Sequence, residues 1–169
     1  MNGFGTSPLE LIAADAMLRE EIYCEWFVYT APFLAGTPQA LAATTGQATQ
    51  QTSIDADSDF VVQMMQLSVR DNAGANVIAP NMSILIIAAG SGRQIMDTPI
   101  PVTNICGNFG AAQVPSVMTF PRLFGAKGTV TTQMFNREAF APLRVEVNYV
   151  GFKVFYTSDK TRQQIFHVL

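Results

Sequence analysis

Ser–His or Cys–His catalysis in this chain would have to run through His167, its one histidine. That residue lies in the closing run Ile165-Phe166-His167-Val168-Leu169, and a chain tip is a poor place for preorganised geometry. One histidine with two distant cysteines, Cys24 and Cys106, gives no recognisable zinc-ligand spacing. Asp55-Ala56-Asp57-Ser58-Asp59 spaces its carboxylates like the start of a calcium loop. It lacks the glycine of the sharp turn, and Gln66 stands where a bidentate glutamate would close the loop, so it reads as a solvated turn capping the next strand. Gly90-Ser91-Gly92-Arg93 is followed by no Lys-Ser/Thr pair and lacks the outer glycines of a nucleophile elbow, which leaves a hairpin or bulge turn. Glu10, Glu20, Glu21, Glu25, Glu138 and Glu146 show no spacing that sets two across a cleft. The expectation is a non-enzymatic protein with no cofactor, metal or catalytic residue.

Composition narrows the partners. Hydrophobic residues make up 49% of the 169 and charged residues only 14%, against roughly 25% in ordinary soluble domains. Ala, Thr, Gln, Ser and Asn replace the charge, and such a surface adheres rather than repels. The net charge of −3 and the three scattered lysines, Lys127, Lys153 and Lys160, argue against nucleic acid, whose binding needs clustered cations. The longest apolar run, Ile84 to Ala89, is far short of the roughly 20 residues of a membrane-spanning helix. Met1-Asn2-Gly3-Phe4-Gly5 lacks the features of a secretion leader, so a cytosolic origin with reduced cysteines is expected.

The elements that would position these groups are mostly strands. The first seven residues read as a mobile arm. Ser7-Pro8-Leu9-Glu10 is then a capping box with proline at the first helical position, predicting a helix over residues 8–22. Leu9, Ile12, Ala13 and Ala16 form one apolar stripe, and Leu11, Met17, Leu18 and Ile22 widen it. So much apolar surface needs cover on more than one side, from the chain's own sandwich or from a neighbouring subunit. Strand composition follows over Glu25 to Phe33, with Trp26 placed in the core. The uncharged stretch from Phe33 to Ile54 has no strand period and reads as a long loop. Further strands are expected at Phe60–Val69, with Val61, Met65, Leu67 and Val69 on one face. Others are expected at Met82–Ala89, covered on both faces, at Val117–Phe120, and at Gly128–Phe135 with threonines outward. Asp71-Asn72-Ala73-Gly74 marks a turn, and residues 97–115 a wandering connection. From Leu143 to Tyr156 the apolar phase flips after Gly151, and a bulge at Val150-Gly151 would keep one side buried. The fold class is therefore mainly β: a jelly-roll-like sandwich of two antiparallel sheets at residues 23–157, with an N-terminal arm and helix at 1–22 and a C-terminal tail at 158–169. An immunoglobulin-like sandwich is the alternative, without its Cys–Trp–Cys order.

In their order, several segments carry a resemblance. They are Glu25-Trp26-Phe27-Val28-Tyr29-Thr30-Ala31-Pro32-Phe33, Ile54-Asp55-Ala56-Asp57-Ser58-Asp59-Phe60, Gly90-Ser91-Gly92-Arg93-Gln94-Ile95-Met96, Pro99-Ile100-Pro101-Val102, Pro121-Arg122-Leu123-Phe124 and Tyr149-Val150-Gly151-Phe152-Lys153-Val154-Phe155. Over residues 25 to 155 the chain resembles the small virion proteins of tailed bacteriophages that decorate or cement the head. The resemblance implies a jelly roll on the capsid exterior, made in the host cytoplasm, contacting the major capsid protein and copies of itself as a homo-oligomer. Leu9, Ile12, Met17, Ile165, Phe166, Val168 and Leu169 are the expected partner contacts. A tail, neck or fibre-base component and a carbohydrate-binding sandwich are the alternatives.

Overall fold

A computed structural model describes residues 22–89, 95–106 and 116–158 of the chain. Their strands are β1 (Ile22–Leu34), β2 (Gln47–Ser53), β3 (Asp59–Arg70), β4 (Met82–Ala89), β5 (Ile100–Pro101), β6 (Ser116–Phe124), β7 (Thr129–Asn136) and β8 (Arg144–Tyr156), with a short 3-10 turn at Val102–Asn104. One sheet has the order β1-β8-β3-β6 and the other β2-β7-β4-β5, with every pairing antiparallel. First strand pairs with last, second with seventh, third with sixth and fourth with fifth. That is one long hairpin, closed at the β4–β5 pair, rolled up so that the strands of each arm alternate between two sheets: the jelly roll.

Period-two sterics put alternate side chains of each strand between the sheets. Tyr29, Ala31 and Phe33 of β1, Val145, Val147 and Tyr149 of β8, and Met82, Ile84 and Ile86 of β4 meet in one buried cluster. The turn at residues 71–74 forms as its sequence predicts: the Asp71 carboxylate accepts the N–H groups of Ala73 and Ala75, and Gly74 takes a φ of +84°.

Several local expectations are corrected. β2 lies inside the stretch read as a loop. Its Gln, Thr and Ser side chains carry no hydrophobic period, and seven residue pairs with β7 hold it in place. On β4 the burial alternates, with Ser83, Leu85 and Ile87 only half covered. On β7 Thr132 is fully buried, its hydroxyl 2.6 Å from the Tyr149 hydroxyl across the sandwich.

The bulge also lies elsewhere. β1 and β8 pair without a break from Ile22–Tyr156 to Leu34–Arg144, whereas β3 shifts register between Val62 and Met64. The extra residue is Gln63, so the inward positions of β3 are Phe60 and Val62 before it and Met65, Leu67 and Val69 after it. Val61 therefore points away from the core. Gly151 faces this bulge so closely that a Cβ there would lie 1.9 Å from the Val61 carbonyl oxygen. The predicted helix lies outside the described residues except for Ile22, which opens β1.

Candidate partner-binding face

Because β8 keeps its register, the phase flip read in its sequence is a real change of face. Val145, Val147 and Tyr149 point inward, while Val150, Phe152, Val154 and Tyr156 point outward. On the neighbouring edge strand the same outer face carries Ile22, Cys24, Trp26 and Val28, paired with Tyr156, Val154, Phe152 and Val150. Val61 and Met64 extend it onto β3, opposite Leu123 and Val117 of β6. The result is an apolar field about 20 Å along the strands and about 14 Å across them, from standard strand spacings. Among the described residues no strand packs over it.

Exposure is graded within this field. Ile22 and Val154 are 6% and 7% exposed and form a small cluster of their own with Cys24, Val61 and Tyr156. Trp26, Val28 and Val117 are 52%, 43% and 70% exposed. Trp26 meets Phe152 edge-on at 4.7 Å between ring centroids. The sequence reading put Trp26 in the core. Its parity, shared with Thr30 rather than with Tyr29 and Ala31, places it outside. The other half of the same face is polar: Thr30 donates to Asn148 at 2.8 Å, Arg144 pairs with Glu146, and Gln66, Ser68 and Arg70 lie alongside.

Inside the same end of the sheet, Lys153 occupies an inward position beyond the second sheet and is nearly buried. Its Nζ sits 3.8 Å from the Phe27 ring centroid and 5.8 Å from that of Tyr29, and it donates to the Asp55 carboxylate. The Asp55 N–H in turn donates to the Tyr29 hydroxyl at 3.1 Å. The Lys153 hydrogen bond holds the Asp55 carboxyl below its ordinary range, and Asp55 in return raises the Lys153 amine above its own. An amine held protonated in this way is no nucleophile at neutral pH; the arrangement is a strut. The acidic turn is structural too: Ser58 donates to Asp57, and the buried Asp59 accepts the Ala126 N–H at 2.6 Å. No group of three metal-capable side chains occurs among the described residues. Cys24 lies on the outer face and Cys106 in the core, both as free thiols, and burial pushes the Cys106 thiol up to about 12.

At the opposite end an open groove of about 370 Å³ is walled by Gly36, Ala40, Leu41, Pro142 and Leu143, with Asn72 as its polar side chain. Buried Asn136 ties its loops together, donating to the carbonyls of Ala42 and Phe140 and accepting the Glu138 N–H.

The expected contact residues Leu9, Ile12, Met17, Ile165, Phe166, Val168 and Leu169, and His167, lie outside the described residues. The structure does fix where their segments attach. Ile22 and Tyr156 are cross-strand partners, so both terminal segments join the sandwich side by side at the apolar end of the face.

Fold and site together define a class: an antiparallel jelly roll, eight-stranded among the described residues, with one half-apolar outer face. No protein-family model matches the sequence, and no curated protein matches it. Among solved structures, similarity is found to dimeric latent PorU from Porphyromonas gingivalis, at 9% identity and a TM-score of 0.32, over 80% of this chain and 13% of that one. The VP2 subviral particle of infectious bursal disease virus matches at 10% identity and 0.28, over 81% and 37%. A family two carbohydrate esterase from Cellvibrio japonicus matches at 12% and 0.26, over 78% and 36%. The chain thus spans 13% to 37% of the length of these structures, and at such TM-scores the likenesses carry no argument about its role.

Proposed function

We propose that the chain is a virion structural protein of a tailed phage that binds the assembled capsid lattice from outside and stabilises it. The observation that carries this reading is the attachment of both terminal segments beside an apolar outer face. A protein that binds only the assembled lattice stabilises it by mass action, with no chemistry required. Arms that reach neighbouring subunits strengthen the effect, because each further contact is intramolecular. The charge-poor composition supports the same reading. The test is co-sedimentation of the purified protein with intact heads of its phage and with unassembled capsid subunits. Saturable binding to heads alone is expected, weakened when residues 1–21 are deleted. Absence of binding to either sample overturns the reading, and a copy number of six to twelve per particle moves the protein to the tail or neck.

A carbohydrate-binding role is the second reading, favoured by one observation: Trp26 is half exposed and braced by Phe152, as a sugar-stacking platform would be. A glycan array without hits disposes of it.

A further inference from the structure

On one side of the sandwich both sheets end in a strand whose outer edge no described strand pairs: β1 in the first sheet and β2, packed against it, in the second. We infer that this side is the interface with a second copy of the chain, joined by antiparallel pairing of β1 with β1 about a twofold axis at Trp26.

The main chain sets the register. Ala35 donates to the Leu143 carbonyl at 3.0 Å, which continues the β1–β8 ladder and fixes its phase. The N–H and C=O groups of odd-numbered residues in β1 therefore turn to β8, and those of Ile22, Cys24, Trp26, Val28 and Thr30 turn to the open edge. Pro32 obeys the same phase. It stands in the ladder opposite Glu146, where its missing N–H falls on the open side and ends the row of donors. The five donors between the start of β1 and Pro32 are centred on Trp26. An axis there sets Ile22 against Thr30 and Cys24 against Val28 of the second copy. Five donors on each copy then make ten bonds, against roughly ten in a standard protein interface.

The side chains select a second copy as the occupant. Sheet edges are ordinarily guarded by charge, proline or a break in the strand. The opposite side of this sandwich is guarded in that way: β6 carries Pro121 and Arg122 and shifts register against β3, and β5 has two residues. The thirteen residues of β1 and the seven of β2 carry a single charge, Glu25. About the Trp26 axis Glu25 falls opposite Phe27 of the second copy, so no like charges meet. The same axis keeps both outer faces on one side, where the two copies of Trp26 lie together and the two apolar fields join. Trp26 and Val28, 52% and 43% exposed in the single chain, are the side chains this pairing covers. The pairing goes beyond lattice binding and does not depend on it.

Sedimentation equilibrium of the isolated full-length protein is expected to show a monomer–dimer equilibrium. Trp26→Lys sets like charges together at the axis and is expected to raise the dimer dissociation constant about thirtyfold or more. An unreactive Cys106 thiol in that variant shows that its sandwich is intact. A monomer at every concentration overturns the inference, as does a trimer or larger ring, or a dimer indifferent to Trp26→Lys. Hydrogen exchange separates the remaining occupant: amides of Trp26 and Val28 are expected to be protected in the dimer and to exchange freely on dilution. Protection that survives in the monomer overturns the inference in favour of a segment of the same chain. Crosslinking tests the register. With oxidised glutathione as oxidant, Val28→Cys is expected to give a disulfide-linked dimer, because Cys24 and position 28 of the second copy lie about 5.5 Å apart between Cα atoms. Within one chain those positions are about 13 Å apart along the strand and cannot bridge. Val117→Cys, on the same face and 70% exposed, is expected to give no such dimer. No crosslink from Val28→Cys, or an equal one from Val117→Cys, overturns the Trp26 axis. All these readouts are taken without phage heads, so their failure is separable from failure of lattice binding.

Discussion

The two faces of the β1-β8-β3-β6 sheet obey the same period-two alternation and end in different states. The inner face is apolar where the second sheet closes it, as the buried Phe33, Phe60, Leu67 and Val147 show, and carries the charged Lys153 only near one end. The outer face is mainly apolar over one end, where Trp26, Val28 and Val117 are exposed, and mainly polar over the other, where Leu34 is the exposed apolar side chain of β1. A sheet covered by its own chain has no folding reason to carry tryptophan and valine on its far side. The difference separates the residues that make the fold from those left exposed by it. It also gives a scale of expected effects: truncation on the inner face costs stability, and truncation at the exposed outer positions costs little of it.

The largest contrast is between Phe60 and Val117. Phe60→Ala empties a fully buried site packed edge-on against Tyr29 and is expected to destabilise the protein by about 4 kcal/mol. Val117→Ala, at a 70% exposed position, is expected to stay within about 0.5 kcal/mol. Urea denaturation of the two variants checks this, and equal losses would break the distinction between the faces. Next in size is Gly151→Ala. The added methyl runs into the backbone of Val61 at the bulge, which can yield only by moving the strand. About 3 kcal/mol of lost stability is expected in the same titration. That bulge sets which residues of β3 face inward, so the substitution tests where the two faces exchange parity.

Much of this was legible in the sequence. The strands around Trp26, Leu67, Leu85 and Val147 announce themselves by β-branched and aromatic residues, and their arrangement as a jelly-roll sandwich is what forms. β2 was not legible, because Gln47-Ala48-Thr49-Gln50-Gln51-Thr52-Ser53 offers no hydrophobic alternation and is ordered by its partner β7. The phase flip after Gly151 was visible but open to two causes, a bulge or a change of buried face. Only the unbroken pairing with β1 decides for the second. Trp26 shows the same limit: parity with Thr30 was readable, whereas the pull of a large aromatic toward a core position is a statement about averages. Lys153 interrupts an apolar run, but its partner Asp55 is 98 residues away, and no local signal links them.

Between the sheets, the Tyr149–Thr132 hydroxyl pair is a smaller and sharper probe of the inner face. Burial raises the Tyr149 phenol far above its ordinary range, and it stays neutral and hydrogen bonded. Tyr149→Phe strands the Thr132 hydroxyl in the core and is expected to cost about 1.5 kcal/mol. Adding Thr132→Val removes the stranded group, and the double variant is expected to recover most of that loss. A double-mutant cycle by chemical denaturation gives the coupling, and additive losses would show that the hydroxyls do not depend on each other.

The smallest effect falls where the inner face outruns the second sheet, at Lys153 and Asp55. The Asp55 carboxyl lies below its ordinary value of 3.8 in the folded protein, so its contribution is fully present above that pH and is lost as pH falls through the depressed value. The Lys153 amine lies above its ordinary 10.5, so its contribution is fully present below that pH and is lost as pH rises through the raised value. The pair therefore supports a plateau between the two ordinary values. Asp55 is half exposed, which limits the coupling to about 1 kcal/mol. Other carboxylates titrate in acid as well, so the informative quantity is the stability difference between the native protein and Lys153→Met, which keeps the stem over Phe27 and removes the charge. That difference should be constant across the plateau and shrink beyond both ends. A difference independent of pH would make Lys153 a packing residue alone and move the edge of the inner face inward to Tyr149.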